Sequence, residues 1–257
     1  MRTEPKQSTL FVASIEKGMR ILSVFGANRA ELSLTELSEI LGVDKSTVQR
    51  FTYTFQELGY LDRDPETKRF RPSLKLLELS AAYLWSDPLI PLAMPKLVEF
   101  SRALGERVNA ARLNGSNIVF VIRIPTQMTS LGAMLVGKSV QALSTSSGRI
   151  LVAHLSENDR KQAIATWPLD QLTPCTTMDR AKIEADINDA LTRGYGMTIS
   201  EGIMNEIGIA APVFNTARKP VATVQCSVSS LKWKVEAVRQ EIAPRLIEIA
   251  NSIVVPR

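Results

Sequence analysis

The amino-acid sequence predicts an α+β fold: a small helical unit with a two-stranded ribbon, a linker helix, and a larger domain built on an antiparallel sheet. Three observations support this prediction. Helical periodicity and glycine stops divide the first sixty residues into three short helices. A turn at Asp64-Pro65 separates two short polar strands. Beyond residue 88, two hairpin patterns alternate with amphipathic helices. A length of 257 residues is sufficient for two domains.

The N-terminal helices have clear start and stop signals. Ser33 and Glu36 have the spacing of a capping box, Gly42 suits a helix C-terminus, and Asp44 can cap the helix that follows. The expected elements are a mobile tail over residues 1–13, a helix after Ser14, a helix from Ser33 to Leu41, a helix from Lys45 to Leu58, a ribbon over residues 60–71, and a linker helix from Ser73 to about Ser86. These elements place a helical domain at residues 14–72 and a linker at residues 73–87.

The remaining residues, 88–257, are expected to form one α+β domain. The predicted strands are Glu106–Leu113, Asn117–Ile124, Leu131–Val136, Gly208–Phe214 and Pro220–Val228. The predicted helices are Leu92–Leu104, a helix beginning after Ser147, Arg180–Arg193, and a C-terminal helix from Val235 to Ile253 with a kink at Pro244. The strand pairs joined by Asn114-Gly115-Ser116 and by residues 215–219 are predicted hairpins.

Composition excludes several classes of protein. No apolar run is long enough to span a membrane and no signal peptide is evident, so we expect a cytoplasmic protein without membrane contact. Two cysteines cannot build a disulfide framework or a cysteine-rich zinc site. His154 is the single histidine, so an HExxH zinc site is impossible within the chain. These counts argue against a zinc site and against an enzyme. We predict no metal, no cofactor and no catalytic residues.

Net charge alone does not identify a partner. The chain carries 31 basic and 26 acidic residues, but residues 1–85 hold a surplus of only one positive charge. Locally, residues 45–75 carry seven basic and four acidic side chains. This local surplus coincides with the third helix and the ribbon.

The second and third helices, joined by Gly42-Val43-Asp44, have the pattern of a helix-turn-helix. A helical wheel places Val48, Phe51, Thr52, Phe55 and Leu58 on one side of the third helix, where we expect the core. The opposite side presents hydroxyl, amide and guanidinium groups suited to base edges and phosphates. The candidate DNA contacts are Lys45, Ser46, Thr47, Gln49, Arg50 and Tyr53 on the helix and Arg63, Lys68, Arg69 and Arg71 on the ribbon, which would act as a wing.

Several short fragments occur in a characteristic order and spacing: Ser14-Ile15-Glu16-Lys17, Leu34-Thr35-Glu36-Leu37, Lys45-Ser46-Thr47-Val48-Gln49-Arg50, Leu58-Gly59-Tyr60-Leu61, Ser146-Ser147-Gly148-Arg149, Gly194-Tyr195-Gly196 and Ile209-Ala210-Ala211-Pro212-Val213. Through these fragments the sequence resembles the IclR type of bacterial transcriptional regulator along essentially its whole length. The resemblance implies a winged helix-turn-helix, a linker helix and a GAF-like effector-binding domain. It also implies homodimers that pair into tetramers and that repress or activate catabolic or efflux genes on a double-stranded DNA operator.

The same resemblance implies an effector pocket between the loop before Gly148 and the two C-terminal strands. Its residues here are Ser146, Ser147, Gly148, Gly208, Gln225 and Ser227. Neutral hydrogen-bond groups and the unpaired amides of a helix start favour a small organic acid or an oxygenated aromatic compound.

The sequence alone leaves alternative interpretations open for several residues and for the function. The hydroxyl run Ser144–Ser147 resembles a nucleophile loop, although such runs more often cap helices. His154 fits a partly buried histidine within a helix better than a catalytic base, and Cys226 should point away from Gln225 and Ser227 into the core. The main alternative function is a metabolite-binding protein whose winged helix docks another protein; an enzyme with a small accessory domain comes third.

Overall fold

Residues 10–26, 28–126 and 134–256 are described by the structure, a computed structural model. The chain divides into two units, one up to Tyr83 and one from Leu84 onward. Because the described residues begin at Leu10, the tail predicted over residues 1–13 lies mostly outside them. None of the described helices is long and apolar enough to cross a membrane.

The N-terminal unit contains three helices and a ribbon, as predicted. The elements are α1 (Ala13–Ser23), α2 (Leu34–Leu41), α3 (Lys45–Glu57), β1 (Leu61–Arg63) and β2 (Phe70–Pro72). The strands β1 and β2 pair antiparallel, with Leu61 opposite Pro72. Their apolar residues Leu61 and Phe70 join Ile21, Leu37 and Val48 of the helices in one buried cluster. This packing stabilises a ribbon that would be marginal by itself.

The helix α4 (Leu74–Ser86) occupies the segment for which the sequence predicts a linker helix, and the boundary between the two units falls within it. None of its residues is buried, and its apolar side chains Leu74, Leu77 and Trp85 are exposed. The next helix, α5 (Leu89–Leu104), begins three residues earlier than predicted. Pro91 does not prevent this, because the first turn of a helix needs no backbone donor.

The C-terminal unit is built on one antiparallel sheet of β3 (Arg107–Asn114), β4 (Asn117–Ile124), β5 (Ser139–Gln141), β6 (Gly196–Ile199), β7 (Glu206–Phe214) and β8 (Pro220–Ser229). The strand order is β5-β4-β3-β8-β7-β6. Both predicted hairpins, β3–β4 and β7–β8, are confirmed. The fold class is the predicted α+β class.

Helices cover the sheet on both faces. They are α6 (Ser146–Ala153), α7 (Glu157–Thr166), α8 (Arg180–Arg193) and α9 (Ala243–Ser252), the last preceded by a helical turn at Val235–Ala237 and a π-helical segment at Val238–Ile242. One apolar cluster joins α5 and the C-terminal helical segments to Val108, Ile209 and Cys226 of the sheet, which confirms the predicted core position of Cys226. A second cluster joins α6, α7 and α8.

Besides the start of α5, four sequence-based predictions need correction. The strand predicted at Leu131–Val136 lies partly outside the described residues, and its described part, Met134–Val136, is not a strand. The strand β5 begins after Gly137, whose φ of +83° turns the chain there. Helix α6 begins at Ser146, not after Ser147, because Thr145 caps it by accepting from the Gly148 amide. The C-terminal helix has a wide π-turn just before Pro244, where proline supplies no amide donor.

The fourth correction concerns the wheel of α3. Val48 and Thr52 are buried and Phe51 and Phe55 are half-buried, as predicted, but Leu58 is 51% exposed. Leu58 lies beyond the last residue of the helix, so the helical angle no longer sets its direction. Three elements, β5, α7 and β6, do not coincide with any predicted helix or strand.

Candidate functional site

The turn between α2 and α3 has the local geometry that the sequence indicates. The Glu36 amide donates to Ser33 Oγ at 3.3 Å, and the Ser33 amide donates to Glu36 Oε2 at 2.8 Å. Gly42 has a φ of +62°, a left-handed conformation in which a β-carbon would be strained. Asp44 accepts from the Thr47 amide at 2.8 Å. These contacts fix the start of α3 relative to α2.

The outward side of α3 carries the predicted helix contacts. Lys45, Ser46, Gln49, Arg50 and Tyr53 are exposed, whereas Thr47 is half-buried. The hydroxyl of Ser46 donates to Asp44 Oδ1 at 2.5 Å, so Ser46 also supports the helix cap. The exposed amide and guanidinium groups lie in the first two turns, where a recognition helix enters the major groove.

A shallow surface depression lies beside these residues. Lys17 of α1 lines it together with Thr47 and Arg50 of α3, and it encloses about 370 Å³. Lys17 is not among the DNA contacts that the sequence predicts. In the sequence, Lys17 is recognisable only as a polar residue of α1. Its position beside Arg50 depends on the packing of α1 against α3, which no local pattern reveals.

The ribbon presents its basic residues in two different ways. Arg63, Lys68 and Arg71 are exposed, although Arg71 lies 3.7 Å from an Asp62 carboxylate oxygen and Lys68 donates to the Pro65 carbonyl. Arg69 is half-buried, and its Nη2 lies 2.7 Å from both carboxylate oxygens of Glu36. The guanidinium of Arg69 is thus bound closely within the unit, whereas Arg71 lies at the longer distances of 3.7 Å from Asp62 and 3.9 Å from Glu31.

The Glu36 carboxylate is surrounded by donors. Hydrogen bonds from the backbone and side chain of Ser33 and from Arg69 lower the pKa of Glu36 from 4.5 to about 2. Hydrogen bonds from Ser46 and Thr47 lower the pKa of Asp44 from 3.8 to about 2. Both helix caps therefore depend on ionised carboxylates.

In the C-terminal unit, strand register gathers polar side chains on one face of the sheet. Asn109 of β3 is opposite Arg123 of β4 and Gln225 of β8, and Arg107 is opposite Ser227. Directly opposite residues share a face, as do residues two apart along a strand. The face opposite the Cys226 core therefore carries these polar groups.

Helix α6 and the turn before it cover the edge of this polar face. A β-carbon on Gly148 would lie 2.0 Å from the Ala142 carbonyl oxygen, and one on Gly196 would lie 2.3 Å from the Ser146 carbonyl oxygen. Only glycine allows these backbone approaches. The hydroxyl run Ser144–Ser146 is thereby held against β6 and β7.

A cavity of about 380 Å³ lies between the polar face and the covering segments. The polar atoms Arg107 Nε, Asn109 Nδ2, Ser144 Oγ and Ser146 Oγ belong to lining residues, are buried, and make no hydrogen bond among the described residues. Buried polar atoms without partners are rare, and here four of them border one space. The cavity is therefore suited to a ligand that accepts hydrogen bonds.

The predicted pocket residues divide into two groups. Ser146, Gly208, Gln225 and Ser227 line the cavity, whereas Ser147 and Gly148 do not. The Ser147 hydroxyl donates to Gln225 Oε1 at 3.1 Å and accepts from Thr223 Oγ1 at 2.9 Å. Because Ser147 is in the first turn of α6, its side chain points to the sheet under the helix and orients Gln225.

Three cationic side chains of the cavity were missed by the sequence analysis: Arg107, Arg123 and Lys138. Burial and the nearby Arg107 lower the pKa of Arg123 to about 10. Burial, Arg123 and Arg107 also lower the pKa of Lys138. The alternation of side chains along β3 places Arg107 on the same face as Asn109 and therefore could have indicated Arg107. The other two residues reach the cavity only through the pairing of the strands.

The two acidic residues of the lining are held by arginines. Glu206 pairs with Arg107, and Glu201 forms a two-point contact with Arg149 at 2.8 and 2.6 Å. Arg149 is buried and also contacts Asp186 at 3.0 Å. This buried network fixes the loop that contains Glu201 to α6 and α8.

His154 does not border the cavity. Its Nδ1 lies 2.8 Å from the Ile150 carbonyl oxygen, and its ring contacts Phe214 edge-on with ring centres 5.5 Å apart. This is the partly buried, hydrogen-bonded histidine that the sequence predicts. Cys226 is fully buried, and burial raises the pKa of its thiol to about 12.

Comparison with protein families gives matches over both units. Residues 14–65 match the IclR helix-turn-helix domain, and residues 81–255 match the C-terminal domain of the bacterial transcriptional regulator IclR. The HTH-type transcriptional regulator XynR of Escherichia coli strain K12 is 26% identical over 225 residues, which cover 88% of each chain.

Solved structures are similar along nearly the whole chain. A transcriptional regulator from Rhodococcus sp. RHA1 superimposes with a TM-score of 0.78 at 26% identity, over 95% of this chain and 97% of that one. An IclR homolog from Microbacterium hydrocarbonoxydans, crystallised in complex with 4-hydroxybenzoate, superimposes with a TM-score of 0.76 at 20% identity, over 93% of this chain and 97% of that one. At 20% identity the second likeness concerns the fold.

Proposed function

This chain belongs to the IclR family of DNA-binding bacterial transcriptional regulators, and from that membership we propose which of its residues contact the operator and what its cavity senses. The outward residues of α3 enter the major groove, with Gln49 and Arg50 contacting base edges. Lys45 and Lys17 flank them and contact phosphates. Their exposure and their position in the first turns of α3 or beside it support these roles.

The wing contributes contacts that do not read sequence. Arg63, Lys68 and Arg71 are exposed and can reach backbone phosphates on either side of the groove. We leave Arg69 out of this set, because its guanidinium is bound to Glu36 and the Glu31 carbonyl. Its role is to hold the ribbon on α2.

The C-terminal cavity binds a small organic acid or oxygenated aromatic compound that changes the affinity for the operator. The observation that carries this proposal is the set of four buried polar atoms without partners around the cavity. A ligand oxygen would give these atoms partners, and the neighbouring cations favour an acid. The effector-binding residues we propose are Ser144, Ser146, Asn109, Gly208, Gln225 and Ser227.

The functional unit is a homodimer, with tetramers as its further assembly. One helix-turn-helix contacts too little DNA for strong selectivity, and dimers read half-sites about one helical turn, or 34–36 Å, apart. The exposed apolar side chains of α4 offer a surface for a second copy. Such a regulator acts on DNA in the cytoplasm and without catalysis.

The direct test is binding of the full-length protein to duplexes from the DNA beside its own gene. We expect sequence-selective binding that weakens with salt, and a shift in affinity when the correct acid is added. Random duplexes of equal length are the control. Equal affinity for both sets of duplexes would favour the alternative, in which the winged helix docks a protein.

A further inference from the structure

The charges around the cavity do not balance. Its lining contains three cations, Arg107, Arg123 and Lys138, and two carboxylates, Glu201 and Glu206. Arg107 pairs with Glu206, and Glu201 is paired with Arg149, which lies outside the lining. Arg123 and Lys138 form no salt bridge among the described residues, and Glu206, which attracts both of them, is already paired with Arg107.

The contacts of Arg123 are consistent with this count. Arg123 donates to Asn109 Oδ1 at 3.3 Å and to the Leu135 carbonyl at 3.5 Å, and its guanidinium lies 4.2 Å from the centre of the Phe120 ring. All three partners are uncharged. Residues 127–133, which the structure does not describe, contain no acidic side chain in the sequence.

Two cations near each other in a partly buried site repel each other and favour a ligand that carries two negative charges. They come from separate backbone segments, β4 for Arg123 and the residue before β5 for Lys138. Two separate acidic groups of one ligand can therefore each pair with one of these cations. Arginine in particular matches the planar, two-oxygen geometry of a carboxylate.

The rest of the lining is neutral but polar. Ser144 and Ser146 are almost completely buried, and their hydroxyls lack hydrogen-bond partners, as does Asn109 Nδ2. An unsubstituted hydrocarbon chain would leave these groups unpaired, at a cost in binding. The part of the ligand between its acidic groups should therefore carry hydroxyl or carbonyl oxygens.

We propose that the effector is a hydroxylated dicarboxylic acid, with one carboxylate bound by Arg123 and the other by Lys138. The inference rests on the proposed effector role of the cavity and specifies the chemistry of the ligand. A phosphate monoester is the other common dianion. A phosphate carries both of its charges at one point, whereas Arg123 and Lys138 come from separate segments and the Arg123 guanidinium matches the two oxygens of a carboxylate, so the observations favour two carboxylates.

Calorimetry of the full-length protein against two matched sets of acids tests the proposal. One set is D-glucarate, D-gluconate and adipate; the other is L-tartrate, L-threonate and succinate. Within a set, the second acid lacks one carboxylate and the third lacks the hydroxyls. We expect the hydroxylated dicarboxylate of at least one set to bind about tenfold or more tightly than both of its analogues. Glucose 6-phosphate provides the phosphate comparison.

Two variants locate the effect, and one serves as a control. Arg123→Gln and Lys138→Met should each lower the affinity for the dicarboxylate about tenfold or more and bring it towards that of the monocarboxylate. Lys219→Gln removes an exposed cation from the β7–β8 turn and should change neither affinity. Melting curves without ligand verify folding, and the wild-type series remains decisive if a variant does not fold.

Each alternative outcome contradicts the proposal in a recognisable way. Equal or tighter binding of the monocarboxylates would overturn the two-carboxylate assignment but leave an organic-acid effector intact. Tighter binding of adipate or succinate would overturn the role of the hydroxyls, and tighter binding of glucose 6-phosphate would replace the carboxylates by phosphate. If no acid binds, both this inference and the proposed acid effector fail, whereas the operator assay still reports on DNA binding separately.

Discussion

Arg69 in the ribbon binds Glu36 at the start of α2, with Nη2 at 2.7 Å from each carboxylate oxygen. Because this guanidinium is engaged within the unit, we expect Arg69→Ala to leave the salt dependence of operator binding unchanged. Arg71→Ala removes an exposed cation of the same ribbon and should reduce the slope of log affinity against log salt by about one. Titrations at several salt concentrations compare the two variants. An equal reduction in both would place Arg69 among the phosphate contacts, as the sequence alone suggests.

The acid stability of the N-terminal unit should depend on Glu36. Its folded pKa of about 2 is lower than the ordinary value of 4.5 because of hydrogen bonds from Ser33 and Arg69. A lowered carboxyl pKa stabilises the folded state above the unfolded pKa, and this contribution is lost as the pH falls towards the folded pKa. We therefore expect the backbone amides of α2 to lose protection from hydrogen exchange between about pH 4.5 and 2, after correction for intrinsic rates.

Glu36→Gln tests the same point, because the variant side chain does not titrate. It should show weaker protection of α2 at pH 6 and less change on acidification than the wild type. Lys161, on α7 in the other unit, forms an exposed pair with Glu157, so Glu157→Gln is a suitable control that should not affect α2. A wild-type pH profile that coincides with that of Glu36→Gln would contradict the assigned role.

Local signals in the sequence predict the N-terminal unit well. The cap at Ser33, the turn at Gly42 and the cap at Asp44 each depend on residues within four positions of one another, so spacing alone reveals them. Helix α7 was missed because its sequence, Glu157–Thr166, is mostly polar and shows little apolar periodicity. Strand β6 was missed because four residues are too few for a clear alternation.

The cavity could be predicted only in part, for a different reason. Ser146, Gly208, Gln225 and Ser227 were assigned through the resemblance to the family, which supplies tertiary information. The turn at residues 114–116 predicts that β4, which contains Arg123, pairs with β3, but no local pattern brings Lys138 to the same cavity. The strand β4 also contains one extra residue, because Ala110 is opposite Ile122 and Ala111 is opposite Phe120. This bulge places Phe120 and Arg123 on the same face of the sheet, although simple alternation would place them on opposite faces.

Base readout by α3 should depend most on Arg50. If Arg50 contacts a guanine, Arg50→Ala should lose about 1–3 kcal/mol of binding free energy on the operator and little on random DNA. Gln56→Ala, an exposed change in the last turn of the same helix, is the matched control. Competition binding with the operator and a scrambled duplex measures both. Equal weakening on the two duplexes would reassign Arg50 to phosphate contact.

Ser146 and Ser147 are adjacent but should behave in opposite ways. Ser146 Oγ is buried without a hydrogen-bond partner among the described residues, so Ser146→Ala should preserve or slightly raise stability while weakening effector binding. Ser147→Ala should destabilise the C-terminal unit by about 1–3 kcal/mol, because Gln225 and Thr223 lose a buried partner. Urea unfolding and calorimetry separate the two effects. A large loss of stability in Ser146→Ala would mean that its hydroxyl has a structural role instead.

The exposed apolar side chains of α4 should contact a second copy of the chain in a homodimer. Leu74 is 72% and Leu77 is 65% exposed, and a helix with no buried residue gains little from its own unit. If a second copy covers this surface, Leu77→Glu should place a charge in an apolar interface and shift the dimer towards monomers. Glu78→Gln, a neutral change at the adjacent position, should leave the assembly unchanged. Sedimentation velocity at several protein concentrations measures the shift, and operator affinity should fall with it because paired half-sites require two helix-turn-helix units. A wild-type protein that remains monomeric on saturating operator would contradict this arrangement.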